Sequence, residues 1–381
     1  MNIAPVVDWL DNGAPPTREP QQMLMHFCRR LVSFGIPVHR VAVFVRTLHP
    51  NVAGRGFFWR EDREEVEVDS ADHGWFGSEH HLRSSIYAVW TTNAEVRRRL
   101  ADPACPMDYP VLAELRAEGA TDYLAVPLRF LGGEIHVATF ATRRAGGFTD
   151  GELDALRRLL PPFTRVAEIY ANMRKARNIL DAYLGPSAGE KVLQGSIKRG
   201  DSEDINAVIW FCDLRDSTAL ADSMSRQDFL RLLNDYFECV LGPVLERKGE
   251  VLRFIGDAAL AIFPMDADPG PACAAALAAA QEALARMDKL NENRPRPLRF
   301  GIGLHLGELT YGNVGTPTRI EFTVVGSAAN EAARIESLCK DLQLDLLVSE
   351  RVARALPGAL KSLGNHTLRG LGDKMELFTL P

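Results

Sequence analysis

The sequence predicts an α+β protein built from two folded domains and a helical connector. Three observations carry this expectation. The chain has 381 residues, enough for two or three domains. Hydrophobic residues make up 46% and charged residues 25%, an ordinary globular balance. Short apolar runs bounded by Gly and Pro alternate with helical apolar spacing in both halves of the chain. A disordered chain, a collagen and a disulfide miniprotein are thereby excluded. The balance of 44 basic and 50 acidic residues, net charge -6, argues against a general nucleic-acid coat.

The six cysteines, Cys28, Cys105, Cys212, Cys239, Cys273 and Cys339, show no metal or redox spacing. They are expected to be reduced and mostly buried, in a cytoplasmic protein. The first residues carry Asp8 and Asp11 and no basic segment, unlike a signal peptide. No stretch approaches ~20 apolar residues, so no membrane span is expected.

Residues 1–20 are Pro-rich and polar and read as a flexible tail. Gln21 to Phe34 has Leu24, Phe27, Leu31 and Phe34 at helical spacing, and Gly35 and Pro37 close it. Val41 to Val45 reads as a strand with Gly56 to Trp59 as its hairpin partner. Tyr123 to Phe130 and Glu134 to Thr142 read as a second hairpin around Leu131-Gly132-Gly133. Thr149 or Asp150 then caps a helix. The adjacent His80 and His81 have poor geometry for a metal on one helix face and are expected in a solvated loop.

Pro161-Pro162 is expected to interrupt the exit helix. Beyond it, Val166, Ile169, Met173, Ala176, Leu180 and Tyr183 follow 3-4-3-4-3 spacing. That pattern suits either a coiled-coil seam between two chains or one helix docked on its own domain. Gly185-Pro186 ends it. The domain plan is a tail over 1–20, a sensor domain over 21–160, a helical dimerising linker over 161–200 and a second domain over 201–381.

The chemistry is concentrated in that second domain. Ala207 to Cys212 reads as a buried strand, and Asp213 stands at its end, followed by Asp216-Ser217-Thr218 and a helix. Asp216 is the better cap, which leaves Asp213 available for a metal–phosphate site. Val251 to Phe263 reads as two strands around Gly256-Asp257, a hairpin turn that can bring Asp257 beside Asp213. Two such carboxylates can share divalent cations for displacement at a phosphate. Phe322 to Val325 is a short strand, Gly326 breaks it, and Asn330 and Arg334 then project from one helix face. An amide beside a guanidinium suits a ribose oxygen and a phosphoryl oxygen, though a surface pair or a cap has the same spacing.

Together the motifs "FCDLRDST", "GEVLRFIGDAALAIF", "RFGIGLHLGEL" and "RIEFTVVGSAANEAARIE" resemble, in order, the catalytic domain of class III adenylate and guanylate cyclases. The resemblance covers about residues 200–381. It implies a ferredoxin-like core that works as a head-to-tail homodimer with shared active sites. Asp213, the carbonyl of Leu214, and Asp257 match the ligands of two Mg²⁺ or Mn²⁺ ions per site. Asn330 matches the residue that orients the ribose, and Arg334 the one that stabilises charge at the α-phosphate. Arg253 stands where adenylate cyclases usually carry lysine, and Thr323 where a bacterial variant has threonine for aspartate. The glutamate and cysteine of guanylate cyclases are absent from these two places, so the resemblance favours ATP. Arg253 also has donors that suit guanine, which keeps a guanylate cyclase as the alternative. Arg369, in "TLRGLGD", lies near a lysine that contacts the triphosphate in some members. The full set of four polar site residues argues against a catalytically silent module, and "IGDAAL" does not fit a diguanylate cyclase.

The run "AVPLRFLGGEIHVATFATRRAGGFTDGELDALRRL" resembles the closing half of a GAF domain, with a PAS-like domain as the other option. This implies an unknown small-molecule or protein signal acting on the N-terminal domain.

Overall fold

The computed structural model describes residues 2–370 and 374–381. The chain divides into two compact units, Met1–Ala182 and Tyr183–Pro381, described separately.

The first unit opens with α1 (Ala4–Asp11) and α2 (Pro20–Ser33). The segment read as a flexible tail is therefore largely ordered. Val6, Trp9 and Leu10 are buried, at the spacing of one helical face. Trp9 Nε1 donates to Pro15 O at 2.8 Å, and the Arg30 guanidinium of α2 lies 4.1 Å over its ring. Six strands follow: β1 (Arg40–Arg46), β2 (Gly54–Arg60), β3 (Glu67–Ala71), β4 (Val96–Arg98), β5 (Asp122–Arg129) and β6 (Ile135–Thr142). They form one antiparallel sheet in the order β3-β2-β1-β6-β5-β4. Both expected hairpins are present.

Helices cover both faces of this sheet. α1, α2 and α6 (Asp150–Leu184) pack on one, with Phe27 and Phe163 at 4.4 Å between ring centroids. The short helices α3 (Glu79–Leu82), α4 (Ser85–Thr92) and α5 (Pro110–Ala117) lie over the other. α6 begins with a reciprocal cap: Glu152 N–H donates to Thr149 Oγ1, and Thr149 N–H to Glu152 Oε2. Contrary to expectation, Pro161 and Pro162 lie inside one continuous helix. Each lacks an amide N–H, so two bonds of the ladder are missing, but Leu159, Pro162, Phe163 and Val166 bury the same face across the pair. Packing holds the helix where propensity would break it. Further along, Val166 of the heptad spacing is buried in the unit's core, while Ile169 and Met173 are 57% and 62% exposed.

The second unit begins with α7 (Pro186–Leu193) and the long strand β7 (Ser202–Leu214). There follow α8 (Ser217–Asp222), α9 (Arg226–Glu246), the hairpin of β8 (Glu250–Ile255) and β9 (Ala258–Pro264), and α10 (Gly270–Asn291). Then come β10 (Phe300–Gly315), β11 (Ile320–Val325), α11 (Ser327–Leu342), β12 (Leu346–Ser349), α12 (Glu350–Arg354), β13 (Lys361–Thr367) and β14 (Lys374–Thr379). The sheet order is β13-β14-β12-β10-β7-β9-β8, with β11 paired to β10. Only β10–β12 is parallel.

Alternation along β7 sorts its side chains. Val208, Trp210 and Cys212 join α9 and α10 in one core, while Ala207 and Ile209 face the opposite side with α7 and α11. Asp213 continues this second set. α11 can lie close to β10 because Gly303 and Gly307 have no side chains. A Cβ at Gly303 would stand 2.5 Å from Ala332 O, and one at Gly307 2.4 Å from the Ala328 Cβ. All six cysteines are free, and all but Cys239 are buried. Among the described residues, no helix is long and apolar enough to cross a membrane.

Candidate active site

β7 pairs with β9 so that Asp213 faces Ala258. The turn of the β8–β9 hairpin then sets Asp257 next to the Asp213 carboxyl. Gly256 carries this turn with φ 66°, a conformation that costs a residue with a Cβ. Burial, then the charge and hydrogen bond of Asp257, push the Asp213 carboxyl up to about 6; Arg215 and the Leu214 N–H work against the rise. The Asp257 charge thus opposes ionisation of Asp213, and a bound divalent cation would remove that penalty. Among the described residues no cluster of three His, Cys, Asp or Glu side chains forms a metal site. Two carboxylates meet here, and with the carbonyl of Leu214, the residue after Asp213, that the resemblance adds, the donor set would be all oxygen. That set fits Mg²⁺ or Mn²⁺, which take their remaining ligands from phosphates and water.

Asn330 and Arg334 stand at i and i+4 on α11, Asn330 exposed and Arg334 half-buried. Among the described residues neither makes an ion pair or a side-chain hydrogen bond, so both sets of donors are available to a ligand. The Arg334 guanidinium lies beside the loop at Gly370, 3.5 Å from where a Cβ would be. Arg369 is exposed in that loop, and the remainder of "TLRGLGD", residues 371–373, lies outside the described residues. Asp216 stands at the N-terminus of α8 but makes no side-chain cap bond; its backbone is left-handed, with φ 55°. The expected capping role is thus not taken up.

Sequence reasoning missed two acidic residues. Glu321 of β11 binds Arg253 of β8 through both carboxylate oxygens, which accept from Nε and Nη2. Thr323, two residues on, is only 6% exposed. The period-2 alternation of "RIEFTVV" was the available signal, since it puts Glu321 and Thr323 on one face. The second residue is Glu336 of α11, buried 3.5 Å from Arg215. Burial pushes its carboxyl up to about 7; Arg215 opposes this, and Asp213 and Asp257 add to it.

The Arg215–Glu336 pair lies close enough to the two aspartates for their charges to act on Glu336. Glu336→Ala is expected to cost roughly 1–3 kcal/mol, because it removes a buried side chain and the carboxyl that faces Arg215. Thermal or denaturant melting checks this. The raised Glu336 pKa means that the folded chain holds this proton above the unfolded value of 4.5. Its contribution to stability is therefore full below pH 4.5 and declines as pH rises through about 7. Glu336→Gln should flatten that part of the pH–stability profile, measured without added divalent cation.

In the first unit, a cavity of about 390 Å³ opens between the sheet and α3–α5. Phe44, Phe58, Trp75, Phe76, Trp90 and Tyr123 contribute aromatic walls. His81 is buried beside it instead of lying in a solvated loop. Its Nδ1 accepts from the Gly77 N–H at 3.0 Å, and its ring packs against Trp75, Phe76, Tyr87 and Trp90. These four aromatic neighbours, all within nine residues of His81, explain the burial.

The family description "Adenylate and Guanylate cyclase catalytic domain" matches residues 201–381. The C-terminal unit thus carries a class III adenylate/guanylate cyclase catalytic domain. An adenylate cyclase of Anabaena cylindrica is 35% identical over 170 residues, 42% of this chain and 33% of its own length. An uncharacterized protein of Mycobacterium tuberculosis is 34% identical over 234 residues, 60% of this chain and 40% of its own. The chain thus spans between a third and two-fifths of these relatives. A solved bacterial light-regulated adenylyl cyclase has the same fold at 18% identity, with TM-score 0.50, over 66% of this chain and 83% of that one.

Proposed function

We propose that the chain is an adenylate cyclase that converts ATP to 3′,5′-cyclic AMP and pyrophosphate. The observation that carries this reading is the meeting of Asp213 and Asp257 at the end of β7, within the matched cyclase domain. The ATP 3′-oxygen forms a bond to the α-phosphorus, the bond from that phosphorus to the bridging β-phosphate oxygen breaks, and the 3′-hydroxyl proton is lost to solvent. Asp213, Asp257 and the Leu214 carbonyl would hold two Mg²⁺ or Mn²⁺ ions, which when bound neutralise the phosphates and acidify the 3′-hydroxyl. Asn330 orients the ribose. Arg334 donates to the α-phosphate oxygens as charge develops there. Arg253 and Thr323 border the base, and Arg369 approaches the triphosphate.

The working form is a homodimer in which one copy supplies the aspartates and the other Asn330 and Arg334. Exposed apolar side chains support an interface: Ile169 and Met173 on α6, Phe254 and Ile255 at the β8–β9 hairpin, and Val325 beside α11. Residues 21–160 are read as a GAF-like sensor domain and 161–200 as a dimerising linker. The six-stranded sheet with helices on both faces and a cavity on one supports a small-molecule signal there.

Turnover of the chain with Mn²⁺ and each nucleoside triphosphate in turn, with products identified by mass, tests the reaction. Cyclic AMP from ATP is expected. Cyclic GMP as the main product would favour the guanylate reading, which the extra donors of Arg253 allow. Removing residues 1–160 should change the basal rate; an unchanged rate and ligand response would refute regulation by the first unit.

A further inference from the structure

We infer that Glu321 is a base-reading residue: its carboxylate accepts from the adenine amino group while Arg253, held by it, donates to the adjacent ring nitrogen. This rests on the adenylate cyclase reading above.

Three observations lead there. First, the position where the resemblance leads one to expect a carboxylate holds Thr323, which has no carboxylate and, at 6% exposed, presents little surface to a base that it borders. Second, Glu321 lies on the same face of β11, one alternation away, while Phe322 and Val324 turn into the core with Tyr311. Third, Glu321 and Arg253 form a two-bond pair that remains open, their side chains 45% and 40% exposed. A pair this exposed adds little to stability, so the fold has small need of it.

The chemistry of the pair matches an adenine edge. A carboxylate only accepts and a guanidinium only donates. Adenine presents an amino donor next to a ring-nitrogen acceptor. Glu321 occupies the Nε and Nη2 edge of Arg253, which fixes the plane of the fork and leaves Nη1 free to donate. The pair is neutral overall, which suits an uncharged base. A lone arginine would supply only donors, with nothing to receive the amino hydrogens.

Purine riboside triphosphate, which lacks the amino group, isolates this contact. With the full chain and Mn²⁺, kcat/KM for ATP should exceed that for the analogue by roughly 10- to 100-fold. Glu321→Ala should bring this ratio close to one. Glu321→Gln, which keeps a carbonyl acceptor, should retain part of it. A purely structural role for Glu321 would lower both substrates alike and leave the ratio intact, and an intact ratio in Glu321→Ala overturns the inference. If Glu321→Ala does not fold, either a wild-type ratio near one or a Glu321→Gln ratio equal to the wild-type ratio overturns it as well. Failure of the wild-type chain to turn over ATP is a different result and refutes the adenylate cyclase reading itself.

Discussion

Asp257→Ala is expected to abolish cyclic nucleotide formation while the fold survives. Asp257 sits in a two-residue turn whose conformation is set by Gly256, so the substitution removes a carboxylate and leaves no buried cavity. Its neighbour Asp213 is held near a pKa of about 6 partly by the Asp257 charge. Once that charge is gone, one carboxylate and one carbonyl remain, too few oxygen donors for a metal that must also bind triphosphate. The loss should therefore appear in turnover, at any Mg²⁺ or Mn²⁺ concentration tested, with an unchanged melting temperature in the absence of cation. Activity within tenfold of wild type would remove Asp257 from the metal site.

Arg334→Ala should lower kcat by roughly 10²–10³-fold with a smaller change in KM, as for a donor that matters most in the transition state. Arg334 has no ion-pair partner among the described residues, so the substitution breaks no ion pair with any of them. The same variant tests how the site is assembled. Mixing Asp257→Ala chains with Arg334→Ala chains should recover activity, because each mixed dimer has one site with both wild-type halves. If each copy built a whole site alone, no mixture would recover. The exposed stripe at Ile169 and Met173 and the apolar tip at Phe254 and Ile255 give such a dimer surface to bury.

The sequence by itself determined the order of the chemistry. An apolar run ending in Asp213, a Gly-Asp turn between two apolar runs, and Asn330 four residues before Arg334 are local patterns. Period 2 and period 3.6 translate them directly into a strand end, a hairpin and a helix face. The two hairpins of the first unit and the Thr149 cap were legible on the same grounds. Local rules failed where burial depends on partners outside the residue's own helix or strand. Pro161-Pro162 reads as a break, yet burial of the flanking apolar face keeps α6 continuous. The Pro-rich start reads as a tail, yet Trp9 finds Arg30 and Pro15. His81 reads as solvated, yet four aromatic rings close around it. Only the tertiary structure decided which carboxylate meets Arg253. The family resemblance points to position 323, but strand pairing buries Thr323 and brings Glu321 to the arginine, 68 residues away. Spacing fixes the direction in which a side chain points along its own element; what it meets depends on how the sheet brings distant strands together.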